Sequence, residues 1–364
     1  MSLQVMPAQA LDAGLLDHWR VLRAGNPSLI SPYYTPEFTL AVAEAGREVW
    51  VAVLEIGGQV QGFFPHERLP GGQLGAVGSI VNDYHGWILG TPDVAPPKDW
   101  LRDCQAWRWA FNHLPCDQTA FTRHAPILHP SPILDLRGGW HAYVERLAQV
   151  QGKAVPGVIK TAKTGLRKLT QTLGPVQLHE HDRSPQAWAA FMRWKSAQFQ
   201  RTGQANVLDL PWVQRLLAIL RERHDPELLG PLSTLWAGDT LLACHMGLQN
   251  PQCLHYWLPT YNPDHASLSP GLLHLHEMAR QAADAGVSWM DMGRGDTPLK
   301  QRFMTGAVPL CEGMLTRPGW LAPVLLQGRL TRQTLREVPW LKRSWDRLRG
   351  RTPTPPSPDQ APHQ

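Results

Sequence analysis

Short apolar runs alternate with helical patterns along this chain, and one arrangement occurs twice. Hairpins of two apolar strands are predicted over 49–64 and 231–249, with turns at 57–58 and 238–239. The turn residues, Gly-Gly and Gly-Asp, are typical of two-residue hairpin loops. Between them, the Trp-rich segment 99–113 has a pattern that predicts a helix. Because each hairpin follows helical sequence and precedes further strands, the pattern indicates two copies of one unit.

The predicted fold class is α/β, with two tandem units that each contain a mixed central sheet flanked by helices. The units are expected over residues 1–135 and 175–318, joined by a helical connector over 136–174. A basic helical extension is expected over 319–351. The last segment, 352–364, is rich in Pro and Gln and is expected to be disordered.

Composition favours a globular protein of a reducing compartment. Of 364 residues, 43% are hydrophobic and 18% are charged, which is typical of folded chains. The five cysteines are scattered and form no C-x-x-C pair, which argues against a disulfide framework and a structural zinc site. No basic leader and no run of 18 apolar residues is present, so a cytoplasmic protein is expected.

The net charge of +5 is unevenly placed along the chain. Between Arg317 and Arg351, nine basic residues face two acidic ones, which gives nine minus two, or +7. The remainder is therefore slightly acidic, and a large basic groove for nucleic acid is not expected. The basic segment suits peripheral contact with an anionic membrane surface, although packing against the domain is the alternative.

The run 261–303 carries the clearest chemical signal. Ser269-Pro270-Gly271 opens an apolar helix, which returns to a buried strand ending at Asp291 and a Gly-rich loop. Free N–H groups at a helix start bind anions, Pro suits the first turn, and Gly permits close approach of a ligand. The run therefore predicts an anion site beside a polar loop, with an ordinary helix cap as the alternative.

Four segments resemble the GNAT acyltransferase superfamily. They are 169–176, 261–264, 269–273 and 291–303, and the specific part of the resemblance covers about 160–306. Within the superfamily they look like the CelD-like (cellulose or exopolysaccharide biosynthesis) acetyltransferases. That branch is related to Fem-type aminoacyltransferases, which carry two GNAT-like units.

The resemblance implies acetyl-CoA or another acyl-CoA as the co-substrate, and no metal. The acceptor would be an amine of a sugar or cell-envelope precursor that attacks the thioester directly. The coenzyme phosphates would lie at the helix start, against His265, Ser269, Pro270, Gly271 and Leu272.

The same resemblance also suggests candidate reacting groups. His255 is a candidate general base, and Asp291 and Asp296 are candidates to orient the amine or accept its proton. A packed core histidine and a carboxylate that caps a strand end are the alternatives. For the acceptor, the expected contacts are Trp257, Lys300 and Arg302 in the second unit and Asp83, Tyr84 and His85 in the first.

Two other functions fit the same resemblance. Fem-like aminoacyl transfer from tRNA would need a large basic groove, which the charge distribution disfavours. A noncatalytic GNAT-fold accessory protein of exopolysaccharide assembly is favoured by the absence of the family's Gly-rich phosphate loop. Ala266, Ser267 and Leu268 stand in its place before Ser269.

Overall fold

The structure is a computed structural model that describes residues 1–91, 94–122, 125 and 127–317. It is a mixed α/β fold, which confirms the predicted fold class. The predicted basic extension, with its membrane contact, and the predicted disordered tail lie outside the described residues. Among the described residues, no helix combines the length and the apolar character needed to cross a bilayer.

The first unit contains seven strands and four helices within the described residues. The strands are β1 Ser2–Pro7, β2 Val49–Ile56, β3 Gln59–Leu69, β4 Gln73–Gly75, β5 Ile88–Leu89, β6 Arg108–Pro115 and β7 Ile127–Asp135. The helices are α1 Ala13–Gly25, α2 Pro36–Glu44, α3 Trp100–Asp103 and α4 Thr119–Thr122. The expectation of a helix over 99–113 is wrong, because only the short α3 is helical and the segment ends in β6.

The connector and second unit follow with the same order of elements. The connector helices are α5 Gly139–Gln151 and α6 Gly157–Leu173. The strands of the second unit are β8 Val176–His179, β9 Leu232–Ala237, β10 Thr240–Gln249, β11 Cys253–Tyr261, β12 Trp289–Asp291 and β13 Gly306–Thr316. Its helices are α7 Pro185–Arg201, α8 Pro211–Glu222, α9 Pro270–Asp284 and α10 Pro298–Phe303.

All thirteen strands join one sheet, in which each unit lends its last strand to the other. The order is β1-β2-β3-β4-β6-β13-β7-β12-β11-β10-β9-β8, with β5 paired to β3. Strand β13 pairs with β6, β7 pairs with β12, and β7 and β13 pair with each other at Pro130 and Pro309. The two parallel pairs, β4 with β6 and β11 with β12, stand at equivalent places in the two halves.

Both faces of the sheet carry apolar cores. One core joins α1, α2, α7 and α8 across both units, around residues such as Trp19, Phe191 and Leu217. On the opposite face, α5, α6 and α9 cover the second unit, and a cluster around Trp87 and Trp109 covers the first. Because the first of these cores spans both units, they are held together by buried apolar surface as well as by strand pairing.

One cysteine pair departs from the expectation of unpaired thiols. Cys116 at the end of β6 and Cys311 in β13 form a disulfide with a Cα–Cα distance of 5.5 Å, although they are 195 residues apart in the chain. The exchange of β13 into the first unit brings them together. The spacing of cysteines in the sequence does not reveal that exchange. The cysteine pattern alone therefore could not predict this disulfide.

Candidate active site

The candidate active site lies where the parallel strands β11 and β12 separate. Their last register pair is His255 with Asp291. Strand β12 ends there, whereas β11 continues to Tyr261, so a gap opens beyond this pair. Crevices at the carboxyl ends of parallel strands are common ligand sites in α/β proteins.

Three side chains from both units form a polar row at this point. His255 Nε2 lies 2.9 Å from Asp83 Oδ2, and His255 Nδ1 lies 3.6 Å from Asp291 Oδ1. His255 is fully buried, at 0% exposure, whereas the Asp83 side chain is 32% exposed. The Asp83–His255–Asp291 row therefore runs from the sheet interior to a carboxylate that a ligand can reach. It joins His255 and Asp291, both predicted as catalytic, to Asp83, predicted as a substrate contact.

The inner carboxylate of the row is fixed by three donors. Asp291 accepts hydrogen bonds from Ser131 Oγ at 2.8 Å, from the Gly293 backbone N–H at 2.7 Å and from the Tyr84 hydroxyl. Burial raises the pKa of Tyr84 well above its usual value, so the phenol keeps the proton that it donates. The network therefore holds the Asp291 carboxylate in one orientation beside the imidazole.

Asp83 keeps its negative charge despite its surroundings. Burial alone would raise the pKa of Asp83, but the hydrogen bond from His255 and the charges of His255, His113 and Lys300 hold the pKa below its usual value. The carboxylate is therefore ionised at neutral pH. It presents a fixed charge, oriented by His255, at the mouth of the gap.

The loop that carries Asp83 and Tyr84 is held by its own side chains. Asn82 donates through Nδ2 to the Val77 carbonyl at 2.7 Å, and its Oδ1 accepts from the Tyr84 N–H at 2.6 Å. The Tyr33 ring packs edge-on against the His255 ring with centroids 5.0 Å apart. These contacts explain how a loop of the first unit positions two side chains against β11 and β12.

The remaining predicted acceptor and catalytic residues occupy other places. Lys300 donates to the carbonyls of Gly293 at 2.8 Å and Arg294 at 3.0 Å, so its ammonium group holds the loop after β12. Asp296 is exposed and accepts from Gln301 Nε2 at 2.8 Å, and Arg302 is exposed on α10. The structure thus brings neither Asp296 nor Arg302 into the row.

Two further predicted contacts are buried. His85 Nε2 accepts the Asn112 backbone N–H at 3.2 Å, and burial lowers the pKa of His85 to about 3. Trp257 packs in the shared core, and its backbone N–H donates to His245 Nε2 at 3.0 Å. Both side chains are therefore packed core residues.

A second polar feature lies at the start of α9. Ser269 has a left-handed backbone, with φ of 51°, and its carbonyl accepts the Leu272 and Leu273 N–H groups at 3.1 and 3.3 Å. A cleft of about 470 Å³ separates this helix start from α6. Its lining consists of Lys160, Thr161, Thr164, Gly165, Lys168, Ser267, Leu268, Ser269, Leu272 and Leu273.

The cleft combines a helix N-terminus with two lysines on one face of α6. Of the five residues predicted to bind the coenzyme, Ser269 and Leu272 line it. Pro270 is buried, Gly271 lies against Tyr261, and His265 belongs to the preceding turn. Sequence reasoning did not connect Lys160 and Lys168 to this site, although their spacing of eight places them on one helix face. Among the described residues, no group of three or more His, Cys, Asp and Glu side chains is arranged to hold a metal ion.

Comparison with known families agrees with the chemistry of this region. Residues 157–301 match the family model described as the acetyltransferase (GNAT) domain. That range includes the α6–α9 cleft, His255 and Asp291, and it excludes Asp83. The enzyme class is acyltransferase. The predictions of a GNAT domain and of an acyltransferase are confirmed, whereas the CelD-like branch remains a prediction. A search of the curated proteins found no match.

Solved structures share the fold of this acyltransferase at low sequence identity. One is the C-terminal domain of a putative lysylphosphatidylglycerol synthetase from Agrobacterium fabrum, with 12% identity, a TM-score of 0.52 and coverage of 86% of this chain and 94% of that chain. Another is FemX, with 10% identity, a TM-score of 0.54 and coverage of 86% and 96%. Both similarities extend across the two units, so the fold as a whole, and not only the matched domain, has solved counterparts.

Gly293 is a sensitive position of the candidate active site. Its φ is +71°, and an added Cβ would lie 3.0 Å from Asp83 Oδ2 and 3.5 Å from His255 Nε2. Gly293→Ala is therefore expected to cost about 1–3 kcal/mol of unfolding free energy and to displace Asp83. Urea unfolding and acetyl-transfer rates measure the two effects. Gly295→Ala is the control. Its φ is also positive, at +111°, but the atom nearest to an added Cβ is Lys300 Nζ, 4.0 Å away. Equal activity losses in both variants would contradict a specific effect on the row.

Proposed function

We propose that this protein transfers an acyl group, in the first instance acetyl, from coenzyme A to a primary amine. The observation that carries the proposal is the Asp83–His255–Asp291 row at the point where β11 and β12 separate. It places an oriented, ionised carboxylate at the edge of a gap in the sheet. The family match over 157–301 supplies the acyl-transfer chemistry.

The coenzyme phosphates fit the cleft between α6 and α9. The α9 N-terminus carries partial positive charge and N–H groups that lack intrahelical acceptors. Lys160 and Lys168 add two ammonium groups to the opposite wall. From this cleft the thioester arm would follow β11 toward the gap beyond His255. Ser269, Gly271 and Leu272 would border the phosphates, as the sequence predicts.

The chain's own residues would act on the amine. The amine nitrogen forms a bond to the carbonyl carbon while the carbon–sulfur bond breaks. Asp83 first holds the amine and then takes its proton, which leaves with solvent or on the departing thiol. His255 fixes the Asp83 carboxylate through Nε2, and the Asp291 carboxylate lies 3.6 Å from its Nδ1. This direct transfer needs positioning and proton removal but no covalent enzyme intermediate.

The finer assignment of the acceptor rests on the sequence resemblance. It suggests an amine of a sugar or cell-envelope precursor, with Asp83, Tyr84 and Lys300 near the acceptor. The described row, with one exposed carboxylate, favours an enzyme over a noncatalytic accessory protein. Aminoacyl transfer from tRNA is distinguished by a requirement for charged tRNA in place of acetyl-CoA.

Titration calorimetry with acetyl-CoA tests the proposal directly. We expect binding to the wild-type protein and a loss of about tenfold in affinity for the Lys160→Ala, Lys168→Ala double variant, because each lysine contributes a charge-assisted contact. Lys163→Ala is the matched control, since Lys163 is exposed on the same helix and does not line the cleft. Absence of binding to folded wild-type protein at high micromolar concentration would sink the proposal.

A further inference from the structure

A separate cavity is lined by Asp291 and Tyr84 but by neither Asp83 nor His255. It lies between the loop after α1 and the central strands β7, β12 and β13, and we call it the inner cavity. Its volume is about 280 Å³, close to the lower end of small-molecule sites, roughly 300–1,000 Å³. Its lining consists of Pro27, Ser28, Ile30, Ser31, Tyr84, Pro115, Cys116, Asp117, Ile133, Trp289, Asp291, Ala307, Val308 and Pro309.

The charged groups of the inner cavity have one sign. Its lining includes the carboxyl groups of Asp117 and Asp291 and contains no Lys, Arg or His. Asp291 already accepts hydrogen bonds from Ser131, Gly293 and Tyr84. Asp117 differs, because its Oδ1 is buried and has no hydrogen-bond partner among the residues that the structure describes. A buried carboxylate oxygen without a partner is costly, and a bound cation or donor removes that cost.

A second polar atom in the lining is also without a partner. Ser31 is only 2% exposed, and its Oγ makes no hydrogen bond to the described part of the chain. Ser31 lies in the loop after α1 and Asp117 follows β6, so the two groups come from different segments of the chain. Two unsatisfied groups in one cavity indicate a ligand with several N–H donors, which a primary ammonium group provides.

The rest of the lining specifies the body of the ligand. Ile30, Ile133 and Val308 contribute branched apolar side chains, and prolines and the Trp289 ring complete the wall. Such a surface suits a hydrocarbon or aromatic body and does not offer the many polar partners that the hydroxyl groups of a sugar require. The volume limits the ligand to a small molecule.

We propose that the inner cavity binds a small organic ammonium ion with a mainly apolar body, whose charged nitrogen is held by Asp117 and Ser31. The site goes beyond the acyl-transfer function, because its lining includes neither Asp83 nor His255. It shares Asp291 and Tyr84 with the row. A ligand in the cavity therefore contacts two side chains that lie next to His255.

Phenethylamine is a suitable probe, and 2-phenylethanol is its uncharged counterpart. Calorimetry and the fluorescence of the tryptophans, which include Trp289 in the cavity wall, report binding to the full chain. We expect phenethylamine to bind the wild-type protein and to bind Asp117→Asn at least about tenfold more weakly, since a charge-assisted contact is lost. 2-Phenylethanol should bind much more weakly than the amine. Asp296→Asn, which removes an exposed carboxylate outside the cavity, should bind phenethylamine like the wild type.

Ser31→Ala provides a second, milder variant, and a far-UV circular dichroism spectrum like that of the wild type shows that either variant is folded. Equal phenethylamine affinity in wild type and Asp117→Asn would overturn the site, as would no binding to wild type at millimolar concentration. Tighter binding of glucosamine than of phenethylamine would contradict the proposal that the ligand has a mainly apolar body. Each result is read separately from acetyl-CoA binding, so a failure of this site and a failure of the proposed transferase function are distinguishable.

Discussion

Replacing Asp83 with asparagine is expected to lower kcat/KM for acetyl transfer to an amine by about 10²–10⁴-fold, the usual range for loss of an acid–base group. The carboxamide is nearly the same size and still accepts a hydrogen bond from His255. It cannot carry the negative charge that holds the amine or take its proton. Since the side chain is one-third exposed, at 32%, the variant should fold normally.

The matched control is Asp296→Asn, which removes an equivalent carboxylate from the loop after β12. Asp296 is exposed and interacts with Gln301, so activity should change less than about twofold. Initial rates at several coenzyme concentrations separate binding from transfer, and affinity for acetyl-CoA should be unchanged in Asp83→Asn. Comparable activity in Asp83→Asn and the wild type would exclude Asp83 from proton removal.

Mild acid is expected to unfold the protein through its buried histidines. Burial lowers the pKa of His66 and His113 to about 4 and of His85 and His274 to about 3, and it lowers the pKa of His245 well below the usual value. Unfolding restores each pKa to about 6.5. Below pH 6.5 the unfolded state therefore binds protons that the folded state excludes, and stability falls as the pH falls toward 4.

Each proton that only the unfolded state binds lowers the unfolding free energy by about 1.4 kcal/mol per pH unit. Five together give a slope of roughly 7 kcal/mol per pH unit once the unfolded-state histidines are charged, compared with a typical total stability of about 5–15 kcal/mol. A cooperative transition near pH 5 is expected. Urea midpoints between pH 4.5 and 7.5 measure it, with the slope giving the protons taken up.

The control variant is His141→Asn, which replaces a side chain that is 88% exposed. His66→Asn removes one fully buried imidazole and should reduce the uptake on unfolding by about one proton. Stability that stays constant between pH 6.5 and 4.5 would show that the buried histidines do not control acid unfolding.

Local chemistry was enough to predict the repeated hairpins. The turns at 57–58 and 238–239 lie where the glycines allow positive φ, and each joins two strands of the sheet. The pattern failed over 99–113: Trp100 in the short α3 and Trp109 in β6 both pack in the apolar cluster of the first unit, whereas Trp107 between them is exposed. A buried strand and a buried helix can both be rich in apolar residues, so hydrophobic periodicity alone did not distinguish the two.

The candidate site was predicted in parts and not as a unit. His255 and Asp291 belong to neighbouring strands of one unit, and family resemblance suggested both. Their link to Asp83 crosses 172 residues of sequence and depends on how the two units face each other. Ser131, which donates to Asp291, stands on an exchanged strand, so no local signal could have identified it.

The exchange of β7 and β13 also has a consequence for biosynthesis. Strand β6 of the first unit finds its outer partner only in β13, which begins at Gly306. A growing chain that has delivered the whole first unit from the ribosome still carries an open strand edge there. The sheet of the first unit therefore lacks this pairing until almost the entire second unit has been synthesised.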